Sequence, residues 1–433
     1  MERIRVLIFP SGSEGALDIY HSLRYNLHFD VYGLSGKENY TDYAYPEGKF
    51  IYGDERLFVD HPEFENALTA VIERLKIQYI IPTFDNVALK LSELQSRLRA
   101  KVITSPYETL LAASDKRRMY KDIVGMSFAP KVFHGVDEVS KYPVFIKPAK
   151  GTGSRGARKV CSRNELELAI EATSEPVITE YLTGEEISVD CFTDRFGMLR
   201  FIGPRVRARV WNGISFRART IPVTGEIEEI ASALNERFVF RGAWFFQAKR
   251  DVCGKYKLLE FSARQATNSS LYTKLGINFS LLSLFDAMEY DVKIIPNDCQ
   301  IEQERCLRAA YRIDFRYSVV YIDFDDTLII ENRVNTNLMR FIYQCVNMGK
   351  KVVLLTRHMH DLEESLVKHR IAKLLFNQII WIKDDTPKWE YIQENDAILI
   401  DNYFKEREEV QRLCGIPVFD VDAVDCLISE CQL

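Results

Sequence analysis

Three aspartates stand within four residues in the segment YIDFDDTLII, residues 321–330. Carboxylates repel one another at that spacing, and a divalent cation with a preference for hard oxygen ligands, such as Mg²⁺, would neutralise them. Beside such an ion Asp323 can attack phosphorus and form an aspartyl-phosphate. Asp325, two residues further on, can donate a proton and then accept one. The cluster therefore predicts chemistry on a phosphate ester.

Further polar residues follow other strand-like runs of the same region. Thr356 ends KVVLLT, Lys383 and Lys388 follow QIIWI, and Asp401 ends AILID. Ligands of an open α/β sheet bind at the carboxyl ends of its strands. We therefore expect these side chains to meet the aspartates, with the hydroxyl and a lysine holding phosphate oxygens.

The strands and helices that must position these polar side chains alternate strictly along the sequence. Five strand patterns, SVVYIDF, KVVLLT, QIIWI, AILID and PVFDVD, are separated by helical patterns. That alternation predicts a compact, doubly wound parallel sheet over residues 314–433. The alternative for the aspartates is an acidic turn that caps a helix through Asp326 or Thr327.

DFDDTL, LLTRH, a downstream lysine and LIDN together resemble the four motifs of the haloacid-dehalogenase-like (HAD) phosphatase family. The resemblance implies a nucleophile, an acid/base, a phosphate-binding hydroxyl, a lysine that steadies the nucleophile, and three metal ligands. Asp323 would be the nucleophile, Asp325 the acid/base, Thr356 the phosphate-binding hydroxyl and Lys388 the lysine. The metal ligands would be Asp323, Asp325 and Asp401. The short spacing between motifs leaves no room for an inserted cap, so the domain is expected to be a capless HAD-like domain.

Two features depart from that family. Its fourth motif often carries two acids, whereas Asn402 follows Asp401 here, and Glu406 is the candidate replacement. Lys383 competes with Lys388 for the role of the lysine. Both points bear on metal affinity and turnover.

A second candidate site lies in FIKPAKGTGSRGARKVCS, residues 145–162. Gly151, Gly153 and Gly156 fit G-x-G-x-x-G, but a dinucleotide-binding loop must open into a helix. Here a basic, β-branched strand pattern follows instead. A hairpin flap fits better, because glycines let backbone N–H groups approach phosphates closely.

Polar residues around this flap complete a pattern that resembles the ATP-grasp fold, most closely its carbamoyl-phosphate synthetase-like branch, over residues 1–290. The resemblance implies ATP and Mg²⁺ as cofactors. Phosphates would be bound by Lys116, Lys147, Gly151, Gly153 and Gly156, and the nucleoside by Glu180, Tyr181, Leu182 and Glu186. Mg²⁺ would be held by Gln247, Glu260 and Ser262, and the transferred phosphoryl group stabilised by Arg264.

One of these metal ligands departs from the family. The usual pattern is Glu-x-Asn-x-Arg, whereas this chain has Glu260, Ser262 and Arg264. A serine hydroxyl ligates Mg²⁺ more weakly and with a shorter reach. Asn268 is the candidate substitute.

The segment PRVRARVWNGISFRART, residues 204–220, is rich in arginine. Arg205, Arg207 and Arg209 alternate and should share one face of a strand. With a three-residue hairpin loop, Arg217 and Arg219 join that face; with two residues they point away. A cradle for an anionic substrate, predicted to use Arg205, Arg207, Arg217 and Arg219, and a solvated basic face are both consistent with the pattern.

Strand and helix patterns divide the rest of the chain. Residues 1–105 alternate as a Rossmann-like βαβ (pre-ATP-grasp) domain, 106–292 mix short strands and helices as an α+β (ATP-grasp) domain, and 293–313 form a linker. The fold class is thus α/β and α+β. The 433 residues include nine scattered cysteines without a C-x-x-C pair, which argues against a zinc site. His358 and His360 are interpreted as loop histidines.

Composition limits the partners. The formal net charge is −5 and no apolar run approaches the roughly 20 residues of a membrane helix, so nucleic-acid and membrane binding are not expected. Absence of a signal pattern and unpaired cysteines favour the cytoplasm. A homodimer is left open.

The combined hypothesis is an ATP-dependent carboxylate–amine ligase fused to a Mg²⁺-dependent phosphatase that acts on a related intermediate. Its substrates would be a small-molecule carboxylate, an amine and a phosphate ester. One alternative is an ATP-grasp kinase that phosphorylates a small molecule. Another is a nucleotide-responsive binding protein whose site has decayed, a reading favoured by Ser262 and Asn402.

Overall fold

The computed structural model describes residues 3–151, 155–211, 214–306 and 309–429. The chain separates into two compact units, Met1–Leu307 and Arg308–Leu433. The predicted border between residues 1–105 and 106–292 lies within the first unit, so the division into three domains stays a prediction. Within the described ranges, no helix is both long and apolar enough to cross a bilayer.

The first unit begins with a parallel sheet, as the βαβ pattern predicts. Its elements are β1 (Ile4–Phe9), α1 (Glu14–Leu23), β2 (Phe29–Ser35), β3 (Phe50–Tyr52), α2 (Phe64–Leu75), β4 (Tyr79–Pro82), α3 (Asp85–Leu94) and β5 (Lys101–Val102). The spatial order is β3-β2-β1-β4-β5. Both faces are covered, because Val6 and Ile8 pack with α1 whereas Leu7 and Phe9 pack with α2 and α3.

Two antiparallel sheets follow in the same unit. The smaller contains β6 (Val132–Phe133), β7 (Val144–Pro148), β8 (Arg158–Val160) and β9 (Pro176–Glu180) in the order β6-β9-β7-β8. The larger contains β10 (Glu186–Thr193), β11 (Leu199–Trp211), β12 (Ile214–Thr220), β13 (Gly242–Arg250), β14 (Tyr256–Ser262) and β15 (Glu302–Glu304), ordered β14-β13-β10-β11-β12-β15. The helices of this part are α4 (Tyr107–Ser114), α5 (Lys116–Asp122), α6 (Arg163–Glu171), α7 (Gly225–Arg237), α8 (Ser270–Thr273) and α9 (Phe279–Ala287).

Alternation along β10 divides the larger sheet into a core face and a polar face. Ile187 and Val189 are fully buried and pack in the same core cluster as the apolar residues of α7. Glu186 and Ser188 point to the other face, where Ser188 is paired with Gln247 of β13. One face of this sheet can therefore collect polar side chains from several strands.

Two local features differ from the sequence-based expectation. The pattern YETLLAASDKRRMYKDIVG predicts a single helix over residues 107–125, but Asp115 has extended backbone (φ −130°, ψ 108°) and separates α4 from α5. Its carboxylate accepts a hydrogen bond from the N–H of Arg117, which is an N-cap interaction. The expected linker also contributes β15, which pairs with β12.

The second unit is a five-stranded parallel sheet, which confirms the predicted doubly wound arrangement. Its elements are β16 (Val319–Ile322), β17 (Ile329–Ile330), β18 (Arg333–Val334), α10 (Thr336–Asn347), β19 (Lys351–Thr356), α11 (Leu362–Lys368), β20 (Gln378–Trp381), β21 (Ala397–Ile400), α12 (Phe404–Cys414) and β22 (Val418–Phe419). The order is β20-β19-β16-β21-β22, and β17 and β18 form a separate short hairpin. The pattern HDLEESLVKHRIAKLLF predicts a helix over residues 360–376, but α11 ends at Lys368 and a short 3₁₀ turn follows at Lys373–Leu375.

Candidate active sites

A cavity in the first unit lies between its two antiparallel sheets and gathers most of the predicted nucleotide-binding residues. Its walls include ten of the predicted site residues: Lys116, Lys147, Gly151, Glu180, Tyr181, Leu182, Glu186, Arg207, Gln247 and Glu260. Lys150, Arg155 and Phe145 also line it, although the sequence analysis did not single them out. These three residues could have been predicted as cavity residues from their position in or beside the glycine loop.

Lys147 is the most buried cation of the cavity. Its ammonium donates hydrogen bonds to the hydroxyl of Tyr120 at 2.8 Å and to the carbonyl of Leu259 at 3.1 Å. Burial lowers the pKa of Lys147 to about 8, against the opposing charges of Glu260 and Glu186. An ammonium has three N–H donors, so these bonds leave one for a ligand anion.

Lys116 begins α5 and faces the glycine loop. Its ammonium donates to the carbonyl of Gly151 at 3.2 Å and lies 3.3 Å from a carboxylate oxygen of Glu260. The backbone N–H of Lys116 donates to the carbonyl of Ala149 at 2.9 Å. The break in the helix at Asp115 thus brings this lysine to the cavity.

The glycine loop joins two antiparallel strands, so the predicted hairpin is confirmed. β7 and β8 are paired with Val144 opposite Val160. Gly151 and Gly156 have positive φ values of 134° and 74°, a region that favours glycine. Gly156 does not line the cavity, and Gly153 lies outside the described residues.

The predicted metal ligands Gln247 and Glu260 face each other directly across β13 and β14. Ser262 shares their face by alternation but is almost fully buried and is not among the residues that line the cavity. Asn268, its candidate substitute, binds elsewhere: its side chain donates to the carbonyl of Ser215 and accepts from Arg305. Two oxygen-bearing side chains therefore remain together at the cavity.

Arg264 is held at the side of the first parallel sheet. Its guanidinium donates to a carboxylate oxygen of Asp85 at 2.9 Å, at the beginning of α3, and to the carbonyl of Gln265 at 3.1 Å. It is not among the residues that line the cavity. The predicted contact of Arg264 with a transferred phosphoryl group stays a prediction.

The opposite end of the cavity has an aromatic and apolar lining. The rings of Phe145 and Tyr181 lie 6.5 Å apart, and the ammonium of Lys159 lies 4.8 Å from the centre of the Tyr181 ring. The carboxylate of Glu180 accepts a hydrogen bond from the backbone N–H of Lys131 at 2.8 Å. Such a surface suits a flat heterocycle that also needs hydrogen-bond partners.

Glu186 and Arg207 connect this end to the metal-ligand end. The guanidinium of Arg207 donates to the carboxylate of Glu186 and, at 3.1 Å, to the side-chain oxygen of Gln247. Lys249 lies 4.0 Å from the other oxygen of Glu186. Arg207 is therefore the one predicted substrate arginine that the cavity lining includes.

Arg205 is placed differently from the prediction of an anion cradle. Its side chain is 3% exposed, and its Nε donates to a carboxylate oxygen of Asp190 at 2.6 Å. It also donates to the carbonyl of Thr267 at 3.4 Å. Burial raises the pKa of Asp190 and the charge of Arg205 opposes that change. Arg205 is thus an internal ion-pair partner beneath the polar face, not an exposed cradle residue.

The remaining arginines do not share a face with Arg207. The last strand pair before the hairpin tip, Trp211 with Ile214, leaves the two residues 212 and 213 between the strands, and these lie outside the described residues. Arg219 is opposite Val206, and an irregularity between Arg207 and Arg209 places Arg217 opposite Arg209. The expected alternation of Arg209 with Arg207 is therefore wrong.

On that second face the arginines have acidic partners. Arg217 donates to Glu302 at 2.6 Å, and Arg209 pairs with Glu304, both in β15. Arg219 is opposite Glu302 in the strand register. Arg217 and Arg219 are not among the residues that line the cavity, so their predicted role in substrate binding stays a prediction.

The buried Arg205–Asp190 pair yields a stability prediction. Replacing Asp190 by Asn is expected to lower the free energy of unfolding by about 2–3 kcal/mol, because a buried guanidinium loses its counter-charge. Urea unfolding followed by circular dichroism measures the change. Asp291→Asn is the matched control, since Asp291 pairs with Arg195 but is 85% exposed, and a loss below about 0.5 kcal/mol is expected there. Equal losses in both variants would contradict the prediction.

A second candidate site lies at the carboxyl ends of β16 and β21 in the second unit. The ammonium of Lys388 donates to Asp323 at 2.7 Å and to Asp401 at 2.5 Å, and all three side chains are buried. Burial raises the pKa of Asp323 to about 6, with Lys388 lowering it and Asp401 raising it. Burial alone would lower the pKa of Lys388, but the two carboxylates raise it. Lys388, not Lys383, is therefore the lysine of this cluster.

Asp325 has another partner. Both of its carboxylate oxygens lie near Nδ1 of His358, at 2.9 and 3.0 Å. Thr356, which ends β19, is fully buried and its hydroxyl accepts from the N–H of His358 at 3.2 Å. His358 was interpreted from the sequence as a loop histidine, so this contact was missed, although His358 follows β19, the strand next to β16.

The residues that depart from the HAD-like motifs are also in contact with others. Asn402 exchanges two hydrogen bonds with the hydroxyl of Thr327, at 3.1 and 3.0 Å. Glu406 accepts from Arg357 at 3.1 Å, and Lys383 lies 3.9 Å from the centre of the Trp381 ring. Within the described ranges, no three His, Cys, Asp or Glu side chains are arranged to hold a metal ion.

Two protein-family models match the middle of the chain. The model of the D-ala D-ala ligase C-terminus matches residues 110–201, and the model described as ATP-grasp in the biosynthetic pathway with Ter operon matches residues 173–304. A D-alanine–D-alanine ligase from Fusobacterium nucleatum subsp. nucleatum is 32% identical over 89 residues, which are 20% of this chain and 31% of that protein. The chain thus matches about a third of the length of this curated relative.

Solved structures resemble the chain at low identity. Biotin carboxylase from Campylobacter jejuni, in complex with βγ-ATP, matches with a TM-score of 0.59 at 17% identity. The match covers 70% of this chain and 75% of the biotin carboxylase chain. L-amino acid ligase from Bacillus licheniformis has a TM-score of 0.54 at 17% identity and covers 68% and 78%. At such identities the likeness shows the fold alone. Together with the family models over residues 110–201 and 173–304, it shows the ATP-grasp fold in the first unit, as the glycine hairpin and its lysines predicted.

Proposed function

We propose that the first unit is an ATP-dependent carboxylate–amine ligase that works through an acyl-phosphate. The observation that carries the proposal is the single cavity in which Lys116, Lys147, the glycine hairpin and the Gln247–Glu260 pair meet. Two of the similar proteins are ligases by name.

ATP and Mg²⁺ are the expected cofactors, and the cavity residues fit them. Lys116 and Lys147 supply cations for the phosphates, while Gln247 and Glu260 supply the hard oxygen donors that Mg²⁺ prefers. Glu180, Tyr181, Leu182 and Glu186 line the part of the cavity suited to the nucleoside. When bound, Mg²⁺ neutralises the charge that develops on the phosphate oxygens.

The reaction has two balanced steps. A carboxylate oxygen of the substrate forms a bond to the γ-phosphorus, and the bridging oxygen leaves with its electron pair as ADP. The amine then attacks the acyl carbon, loses a proton, and expels inorganic phosphate to leave an amide. In both steps the lysines hold the anionic groups in place, so the chain contributes positioning and charge stabilisation.

The test is product analysis with the full chain. ATP, Mg²⁺ and pairs of amino acids that serve as carboxylate and amine are supplied, and nucleotides and amides are quantified by mass spectrometry. ADP and an amide in equal amounts are expected. Release of AMP only, or no turnover of ATP with any pair, would contradict the ligase proposal, and a stable phosphorylated acid without amide would favour the kinase alternative.

The lowered pKa of Lys147 predicts a pH dependence of nucleotide binding. Below pH 8 the side chain of Lys147 is an ammonium in the free enzyme. Above pH 8 it is mostly a neutral amine, so Lys147 must take up a proton before it can pair with a phosphate of ADP. The Kd for ADP is therefore expected to rise about tenfold per pH unit from pH 8 towards about 10, the ordinary lysine range. Calorimetry at several pH values measures this, and Lys147→Ala should remove the slope. A constant affinity of the wild type between pH 7 and 9.5 would contradict the prediction.

We further propose that the second unit hydrolyses a phosphate ester through an aspartyl-phosphate on Asp323. The supporting observation is the buried cluster in which Lys388 bridges Asp323 and Asp401 at the carboxyl ends of adjacent parallel strands. Lys388 would hold the nucleophile ionised and oriented, and Thr356 would bind a phosphate oxygen. Hydrolysis of p-nitrophenyl phosphate by the full chain tests the proposal.

The fit of Mg²⁺ to this second site is partial. Asp323 and Asp401 supply carboxylates of the kind that Mg²⁺ prefers, but both accept from the ammonium of Lys388, and Asp325 is bound to His358. Magnesium at this site therefore stays a prediction, and the roles of the side chains above do not depend on it.

A further inference from the structure

The phosphatase site of the second unit contains a histidine for which the proposed reaction has no role so far. His358 lies one residue beyond Arg357 and two beyond Thr356, and its side chain is only 7% exposed. We propose that His358 is a positioning residue that aims the Asp325 carboxyl at the leaving-group oxygen. This inference rests on the proposed phosphatase function of the second unit.

The contact between the two side chains is well suited to orientation. Nδ1 of His358 lies 2.9 Å from one carboxylate oxygen of Asp325 and 3.0 Å from the other. A single N–H placed between both oxygens fixes the direction of the carboxylate axis as well as its distance. An ionised carboxylate only accepts hydrogen bonds, so Nδ1 carries the proton in this contact. When Asp325 is protonated for the first step, one oxygen still accepts from Nδ1–H and the other carries the proton for the departing oxygen.

The other ring nitrogen has a partner that accommodates that tautomer. Nε2 of His358 lies 2.8 Å from the hydroxyl oxygen of Ser365 on α11. With the proton on Nδ1, Nε2 is an acceptor and the hydroxyl of Ser365 donates to it. The contact with Ser365 holds the imidazole ring with Nδ1 towards Asp325.

The ring and its backbone are held from further sides. The Phe324 ring meets the imidazole edge-on, with centroids 4.8 Å apart. The N–H of His358 donates to the hydroxyl of Thr356, and the indole N–H of Trp381 donates to the carbonyl of His358 at 2.8 Å. His358 is therefore tied to the strand end that carries the predicted phosphate-binding threonine.

Asp325 needs a partner that fixes its orientation more than Asp323 does. Its side chain is 54% exposed, whereas that of Asp323 is 9% exposed and bonded to Lys388. A half-exposed carboxylate on a loop samples several rotamers, and each misplacement of a proton donor by about 1 Å can cost about 100-fold in rate. The bond to His358 restricts Asp325 to one direction.

The proton that Asp325 handles follows from the chemistry. A carboxylate oxygen of Asp323 forms a bond to phosphorus, and the ester P–O bond breaks with its electron pair on the departing oxygen, which takes the proton of the Asp325 carboxyl group. Water then attacks phosphorus, loses a proton to Asp325, and Asp323 leaves as a carboxylate. Protonation of the departing oxygen matters most when that oxygen is strongly basic.

Ser365, His358 and Asp325 also have the order of a hydrolase triad, but Ser365 is poorly placed as a nucleophile. It lies inside α11, where its backbone N–H donates to the carbonyl of Asp361 at 3.0 Å. It is not at a strand-to-helix turn, where a nucleophilic serine would stand exposed beside free backbone N–H groups. Its contact with His358 is better explained as an anchor for the imidazole ring.

The test compares two esters of similar shape that differ in the basicity of the departing oxygen. The full chain and its variants are assayed with phenyl phosphate and with p-nitrophenyl phosphate, whose phenolate leaves far more easily. For His358→Leu, kcat should fall about 100-fold with phenyl phosphate and less than about tenfold with p-nitrophenyl phosphate. His358→Asn, whose amide N–H can replace that of Nδ1, should recover most of the loss, and Ser365→Ala should lose less than about tenfold with either ester.

The outcomes separate the inference from the function on which it rests. If the wild type hydrolyses both esters but His358→Leu loses the same factor with each, His358 has only a structural role and the inference fails. If Ser365→Ala abolishes activity while His358→Asn does not recover it, the triad reading replaces the inference. If the wild type hydrolyses neither ester, the phosphatase proposal itself fails and takes the role of His358 with it.

Discussion

Asp323→Asn is expected to lower kcat for hydrolysis of p-nitrophenyl phosphate by about 10⁴-fold, because an amide oxygen cannot replace an ionised carboxylate as the nucleophile. The change is nearly isosteric, and an Asn side chain can still accept the hydrogen bond from Lys388. The buried cluster should therefore keep its shape. Release of inorganic phosphate measures the effect. A second, independently purified sample of the variant shows whether any residual activity comes from a contaminating phosphatase.

Asp326→Asn is the matched control for this prediction. Asp326 belongs to the same run of acids, is exposed, and has a φ of 52°, a conformation that Asn adopts more readily than most residues. Its replacement removes the same charge and should change kcat less than about twofold. The nucleophile assignment is contradicted if both variants lose activity equally or if Asp323→Asn retains a tenth of it. Since the proposed ligase cavity belongs to the other unit, ADP formation by either variant should be that of the wild type.

The second unit was predictable in its main lines because parallel strands impose their own geometry. Their carboxyl ends lie at one edge of the sheet, so Asp323 and Asp401 had to converge once the strand pattern was recognised. The choice between Lys383 and Lys388 could not be made from spacing. It depends on the path of the loop after β20, which turns into a short 3₁₀ helix at Lys388–Tyr391.

His358 was overlooked for a different reason. The same convergence argument applies to it, because it follows β19, the neighbour of β16. A histidine at the end of a strand has many ordinary uses, however, and only its distance to Asp325 distinguishes this one. His358 and Asp325 are 33 positions apart in the sequence, so whether their side chains meet depends on how the loops fold.

In the first unit the hairpin and its lysines were predictable, whereas the arginine face was not. Alternation places every second residue on one face only while the strand is regular. The irregularity between Arg207 and Arg209 breaks that rule, and nothing in the alternating pattern announces it. Burial of Arg205 depends on Asp190 across the sheet, a partner that the local pattern does not identify.

The other large effect is expected at the cavity of the first unit. Glu260→Gln should lower ATP-dependent ADP formation about 10³-fold, which corresponds to about 4 kcal/mol of transition-state stabilisation. Glu260 supplies the only carboxylate of the predicted metal ligands of that cavity, opposite the neutral Gln247. It also lies 3.3 Å from the ammonium of Lys116. Loss of its charge therefore weakens both the metal site and the placement of a phosphate-binding lysine.

The experiment separates catalysis from nucleotide binding. ADP formation is followed with saturating Mg²⁺, and the Kd for metal-free ADP is measured by calorimetry. Metal-free binding should change less than tenfold, because Lys116 and Lys147 remain and the variant removes a negative charge from the cavity. Glu228→Gln, an exposed position on α7, is the control and should retain full activity. Unchanged ADP formation in Glu260→Gln would show that the metal is held elsewhere; a parallel loss of metal-free binding would instead assign Glu260 to the shape of the nucleotide pocket.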